Sequence, residues 1–212
     1  LYDMTKAPWW NNADKTDYSN LTDMAVMGMN SGKPQMYAPS FVNYVDGIYE
    51  GYKFYETAYT EAQENGFDFD YDSVVQYPFG FGLSYTTFDR TLNSMTESNG
   101  AITVTVTVTN TGDVAGKDVV GVYYNPPYTN GGIEKASVNL IDFAKTDLLD
   151  PGESQVLTMR FNVEDMASYD YLNAKAYVLE AGDYGISIRS DAHTVLDTTV
   201  YTVPETIVYD AD

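Results

Sequence analysis

The chain has 212 residues, 44% of them hydrophobic and 15% aromatic, enough for a packed core and too apolar for a disordered segment. Eleven basic residues stand against 31 acidic ones, a net charge of −20; such a surface repels phosphate backbones and anionic lipid, so nucleic acid and membranes are poor partners. There is no cysteine, hence no disulfide or thiolate chemistry, and no apolar run approaches the length of a membrane span.

Leu1 to Lys6 holds neither an initiating Met nor a cationic stretch leading into an apolar core. The chain is therefore expected to be cut from something longer or to begin after a processing point. Residues 1–43 are rich in turn formers, among them Asn11, Asn12, Asp14, Ser31, Gly32, Pro34 and Pro39. Within them a short helix is predicted at about 21–29, capped by Asn20 or Thr22. A second helix is predicted over 44–65, where Tyr44, Ile48, Tyr52 and Tyr55 recur at three- and four-residue spacing and Gly66 gives a stop. Residues 67–75 are acidic and aromatic, and 77–85 carry Gly80 and Gly82 between aromatics. About one helix and no run of strands cannot enclose a core. The first 86 residues read as an incomplete domain.

From about Thr86 the period becomes two. In 101–110, AITVTVTVTN, Ile102, Val104, Val106 and Val108 fall on one face and four threonines on the other, a clear strand. Asn110, Thr111 and Gly112 end it in a turn. Strands are predicted over 118–124 and 137–148, separated by a loop at 126–135 with Pro126, Pro127, Gly131 and Gly132. Asp150, Pro151 and Gly152 form a turn; Leu157, Met159, Phe161 and Val163 then alternate with polar residues. Gly182 and Asp183 are expected to turn before Tyr184, Ile186 and Ile188, and a last strand covers 194–203. About seven short strands separated by turns indicate an antiparallel β-sandwich over 87–203, of immunoglobulin or fibronectin type III kind.

Three stretches resemble glycoside hydrolase family 3. NYVDGIYEGYKFYET at 43–57 is similar to its Y-x-E-G-I-x-x-G-Y-R-Y-Y segment near the end of an α/β-sandwich domain. YPFGFGLSYTTF at 77–88 resembles its F-P-F-G-x-G-L-S-Y-T-x-F junction. Residues 104–165, with AGDYGISI at 181–188, resemble its fibronectin type III-like domain. Asp46, Lys53 and Gly121 depart from the residues more common there (glutamate, arginine and glutamine), none at a catalytic position. The resemblance implies the C-terminal portion of an α/β-sandwich domain over 1–86, the β-sandwich over 87–203, and the start of a linker over 204–212. It also implies exo-acting, retaining hydrolysis of β-linked glucosides. That chemistry needs two carboxyl groups about 5 Å apart. In the family these lie in a (β/α)8 barrel and in an earlier part of the α/β domain, and no stretch here matches either motif. No catalytic residue is nominated, and no cofactor or metal is expected. Expected partners are the remaining catalytic domains, including the barrel, and a β-linked glucoside or oligosaccharide. A rearranged order in some bacterial members would put the barrel after Asp212. A homo-oligomer stays open, and the expected location is the bacterial cytoplasm.

Candidate sites each have a plainer reading. Trp9, Trp10 and Tyr37, with Phe41, suit a wall that stacks on sugar C–H faces; packing within the domain is the favoured reading. Asp68, Asp70 and Asp72 are spaced like the opening of a calcium loop, but Ser73 and Phe79 stand where that loop needs glycine and glutamate. Gly80 and Gly82 lack the third glycine and the helix of a phosphate loop. His193, the sole histidine, reads as a solvated turn residue. Asn20-Leu21-Thr22 is a glycosylation acceptor only in a eukaryotic secreted protein. The alternative to an enzyme portion is a carbohydrate-binding or surface-display sandwich without catalysis, against which the 43–88 segment argues.

Overall fold

The computed structural model describes residues 26–30, 32–37 and 47–209. Two strands, β1 (Val26–Asn30) and β2 (Lys33–Tyr37), form an antiparallel hairpin in register from Val26↔Tyr37 to Asn30↔Lys33. The predicted helix at 21–29 is thereby corrected over its described part. Gly32, at φ 75, takes the left-handed conformation a tight hairpin turn needs, and Gly28 weakens the last turn of a helix over 21–29.

The second unit, from Ile48 onward, is built on a sandwich. Helix α1 (Tyr52–Asn65) leaves out 47–51 of the predicted 44–65 helix, because Gly51 takes φ 55, a conformation no helix continues through; positions 44–46 lie outside the described residues. Its stop at Gly66 falls where expected, the Gly66 N–H bonding the Ala62 carbonyl at 2.9 Å. A single-turn helix α2 (Tyr71–Val74) follows. No helix among the described residues is long and apolar enough to cross a membrane.

Strands β3 (Phe88–Ser98), β4 (Ala101–Asn110), β5 (Val119–Asn125), β6 (Asn139–Lys145) and β7 (Ser154–Asn162) come next. After them run β8 (Ser168–Tyr169), β9 (Tyr177–Leu179), β10 (Gly182–Arg189), β11 (Val195–Val203) and β12 (Ile207–Tyr209). The two main sheets are ordered β3-β4-β7 and β11-β10-β5-β6, all antiparallel. The expected turn at Gly182–Asp183 is instead the opening of β10; the chain bends one residue earlier, at Ala181. The stretch after Val203 holds β12, which pairs with β9.

The alternation read in 101–110 is the core itself. Ile102, Val104, Val106 and Val108 are fully buried and share one cluster with Val120, Val122, Tyr184, Ile186 and Ile188. Each such side chain contributes roughly 1.5–3 kcal/mol of transfer free energy. On the opposite face Thr105 bonds Ser94 at 2.7 Å, Thr107 accepts from Asn93 at 2.8 Å, and Thr109 bonds Ser154 at 2.8 Å. One strand thus binds the hydrophobic layer on one side and neighbouring strands on the other. The whole is the end of an α/β domain followed by a fibronectin type III-like sandwich.

Candidate functional site

Helix α1 lies on the sandwich through side chains spaced three and four apart. The Leu140 N–H donates to the Tyr52 hydroxyl at 2.8 Å, and the Ser137 N–H to Thr57 Oγ1 at 3.0 Å. The Tyr52 ring stacks on Phe79 at 4.7 Å and meets Tyr123 edge-on at 6.3 Å. Glu56 stands in this aromatic stripe and is only 2% exposed. Its Oε1 accepts a short hydrogen bond from the Tyr71 hydroxyl of α2. Its Oε2 accepts from His193 Nδ1 at 2.9 Å. The His193 ring lies parallel to Tyr71 at 3.9 Å and edge-on to Tyr59 at 4.8 Å.

Beneath this cluster the sandwich is equally ordered. Arg189 is buried and donates to Ser187 Oγ at 2.8 Å, the Ala192 carbonyl at 2.7 Å and Asn125 Oδ1 at 3.0 Å, with its guanidinium over the Tyr123 ring. Burial pushes the Arg189 pKa down, while the carboxylates of Glu56 and Asp191 oppose that shift. Asp191 Oδ1 accepts the backbone N–H groups of His193 and Thr194 at 3.0 and 2.8 Å. Burial likewise raises the Tyr123 and Tyr52 hydroxyls above the ordinary tyrosine range.

The junction 77–88 runs between two anchors. At one end Ala192 N–H donates to the Phe79 carbonyl at 2.7 Å, and Gly80, at φ 90, lies so close that a Cβ there would meet the Asp191 backbone at 3.3 Å. This close approach is what the glycine permits; it is no phosphate loop. At the other end Thr86 donates to Asn110 Oδ1 at 2.7 Å. Asn110, 0% exposed, also donates to the carbonyls of Val114 and Leu149 at 2.8 and 2.9 Å. Between the anchors Leu83 is 93% and Tyr85 102% exposed. Leu83 borders a cavity of about 490 Å³ lined also by Thr86, Phe88, Lys117, Lys145 and the Arg90–Asp118 ion pair, whose two bonds measure 2.6 Å each.

As chemistry, the Glu56 cluster has both carboxylate oxygens engaged inside the fold, and two cavities along α1 are lined by Thr57 and Glu61. The reading of His193 as a solvated turn residue is corrected, since its side chain is 29% exposed and paired. A carboxylate inside the aromatic stripe of a helix was the sequence signal that would have found Glu56; nothing local marked its partners. Trp9, Trp10, Phe41 and Asn20–Thr22 lie outside the described residues, and Tyr37 is placed only by its backbone, opposite Val26. Asp68 and Asp72 are exposed, and Asp70 caps α2 by accepting from the Ser73 N–H at 3.3 Å. Among the described residues no group of three or more His, Asp or Glu is placed to hold a metal.

Residues 118–192 match the model of the fibronectin type III-like domain. Beta-glucosidase A of Butyrivibrio fibrisolvens is 40% identical over 171 residues, covering 70% of this chain and 19% of that protein. A beta-glucosidase of Ruminococcus albus is 36% identical, covering 78% of this chain and 16% of its own length. Beta-glucosidase 3B of Thermotoga neapolitana superposes with a TM-score of 0.66 at 34% identity over 81% of this chain and 22% of that one. The beta-glucosidase of Kluyveromyces marxianus superposes at 0.67 with 28% identity over 79% and 18%. The chain therefore spans about a fifth of the length of the relatives it matches. With helices, junction and sandwich following in the order the motifs require, the chain belongs to glycoside hydrolase family 3, of which it is the end of the α/β-sandwich domain joined to the fibronectin type III-like domain.

Proposed function

We propose that this chain is the non-catalytic portion of an exo-acting, retaining β-glucosidase-type enzyme, and that it scaffolds an active site formed by protein outside these residues. Residues 1–86 close the α/β domain, 87–203 are the sandwich, and 204–212 lead toward a further domain. The nucleophile belongs to a (β/α)8 barrel in the same enzyme, and the substrate is a β-linked glucoside. The carrying observation is the junction, held at one end by the Phe79 carbonyl on the Ala192 N–H and at the other by the Thr86 side chain on Asn110, while Leu83 and Tyr85 stand in solvent. Burying each contributes roughly 1.5–3 kcal/mol. A rigid segment that displays such side chains is suited to dock against the missing four-fifths of the enzyme, holding the two catalytic carboxyls at working separation.

The test is Leu83→Asp with Tyr85→Asp in the full-length polypeptide. Both side chains are exposed in the chain alone, so the melting of residues 1–212 should be unchanged, whereas aryl β-glucoside hydrolysis should fall by about a hundredfold, the effect of roughly 1 Å of misplacement. Full activity in the doubly substituted enzyme would overturn the scaffold reading.

A further inference from the structure

We propose that Glu56, Tyr71 and His193 are positioning residues: they form a latch that fixes α1 and α2 on the β10–β11 turn and thereby sets the geometry the remote active site needs. This rests on the scaffold reading. A buried carboxylate is expensive unless both oxygens are paired, and an apolar residue in the same place would pack as well or better. Glu56 gains direction instead. Its two oxygens point to two different elements, α2 through Tyr71 and the sandwich through His193, so one side chain of α1 ties three pieces of structure.

The partners are themselves held. Tyr71 and His193 lie face to face at 3.9 Å with Tyr59 edge-on to both, an arrangement in which none of the rings can rotate alone. The turn presenting His193 is fixed from the backbone side by Asp191 and from below by Arg189, which holds the Ala192 carbonyl. Other bonds reach the 134–140 segment: α1 does so through Tyr52, Thr57 and Thr60, and Tyr49, just before the helix, donates to Glu134. They hold a second edge. The bond from Glu56 to His193 adds an anchor on the β10–β11 turn that the 134–140 contacts and the stacking of Tyr52 on Phe79 do not supply.

The experiment uses the full-length enzyme and reads kcat and KM separately. His193→Ala should lower kcat by about tenfold while KM moves less than about twofold. Free imidazole, filling the space between Tyr71 and Glu56, should restore most of the rate, and His193→Gln, whose amide still donates to Glu56, should lose less than the alanine variant. Tyr71→Phe, which keeps the stack and removes one donor, should fall between. Should His193→Ala fail to fold, the glutamine and phenylalanine variants decide by the same kcat-against-KM split. Unchanged kcat in folded variants overturns the latch, as does a loss that neither imidazole nor glutamine relieves. If the Leu83→Asp, Tyr85→Asp enzyme is crippled while His193→Ala is fully active, the latch alone fails. If both are fully active, the scaffold reading fails with it.

Discussion

Replacing Asn110 by alanine should be among the most damaging single changes to the sandwich. The side chain makes four hydrogen bonds: it donates to Val114 and Leu149 at 2.8 and 2.9 Å and accepts from Thr86 and Gly112 at 2.7 and 3.1 Å. At about 1 kcal/mol for each bond removed, the sum is near 4 kcal/mol. Val114 is 46% exposed, so water re-satisfies part of the set and the expected loss is about 2–4 kcal/mol. Thr86→Val removes one of the four and should cost about 1 kcal/mol. Because both residues share that bond, the two losses should be less than additive when combined. Urea denaturation of the 212-residue chain, with slopes compared to confirm that the unfolded state is unchanged, gives these values. An Asn110→Ala variant less than about 1 kcal/mol weaker than the parent would refute the view that this asparagine ties the junction to the sandwich.

Alkali should weaken the fold in a defined window. Burial pushes the Tyr124 and Tyr184 hydroxyls up to about 12, against about 10 in an unfolded chain. A raised folded pKa means that their contribution is whole below pH about 10 and is lost as pH rises toward about 12. Melting temperature followed across that range, with and without Tyr184→Phe, should show a shallower fall in the variant. Tyr171, 60% exposed, should be replaceable by alanine with a change within about 0.5 kcal/mol, Tyr177→Ala should cost about 1 kcal/mol because its ring meets Tyr169 edge-on at 5.3 Å, and neither should affect full-length turnover. Saturable binding of a β-linked oligosaccharide by residues 87–203, lost on those substitutions, would favour the sugar-binding module instead.

Much of the sandwich was legible because its signal is local. The alternation of 101–110 needs only the period of a strand, and Asp150-Pro151-Gly152 needs only turn chemistry. The errors came where one local signal overrode another. The aromatic spacing of Tyr44, Ile48 and Tyr52 suggested a helix running through Gly51, whose left-handed backbone stops it. The site was less legible for a different reason. Glu56 and His193 are 137 residues apart in sequence and 2.9 Å apart in space, and no spacing rule connects them. Asn110 was readable as a turn former, but its four bonds depend on Thr86, Val114 and Leu149 arriving from separate segments. The exposure of Leu83 and Tyr85 acquires meaning only once the junction is seen pinned at both ends.

Hydrolysis of an aryl β-glucoside by the purified 212-residue chain, beside the intact polypeptide at equal molarity, tests the division of labour most directly. The expected result is turnover by the intact enzyme and none above the uncatalysed rate by the chain. Saturable turnover by the pure chain, abolished by substituting one of its own carboxylates, would mean that the catalytic machinery lies inside it and that scaffolding is the wrong description.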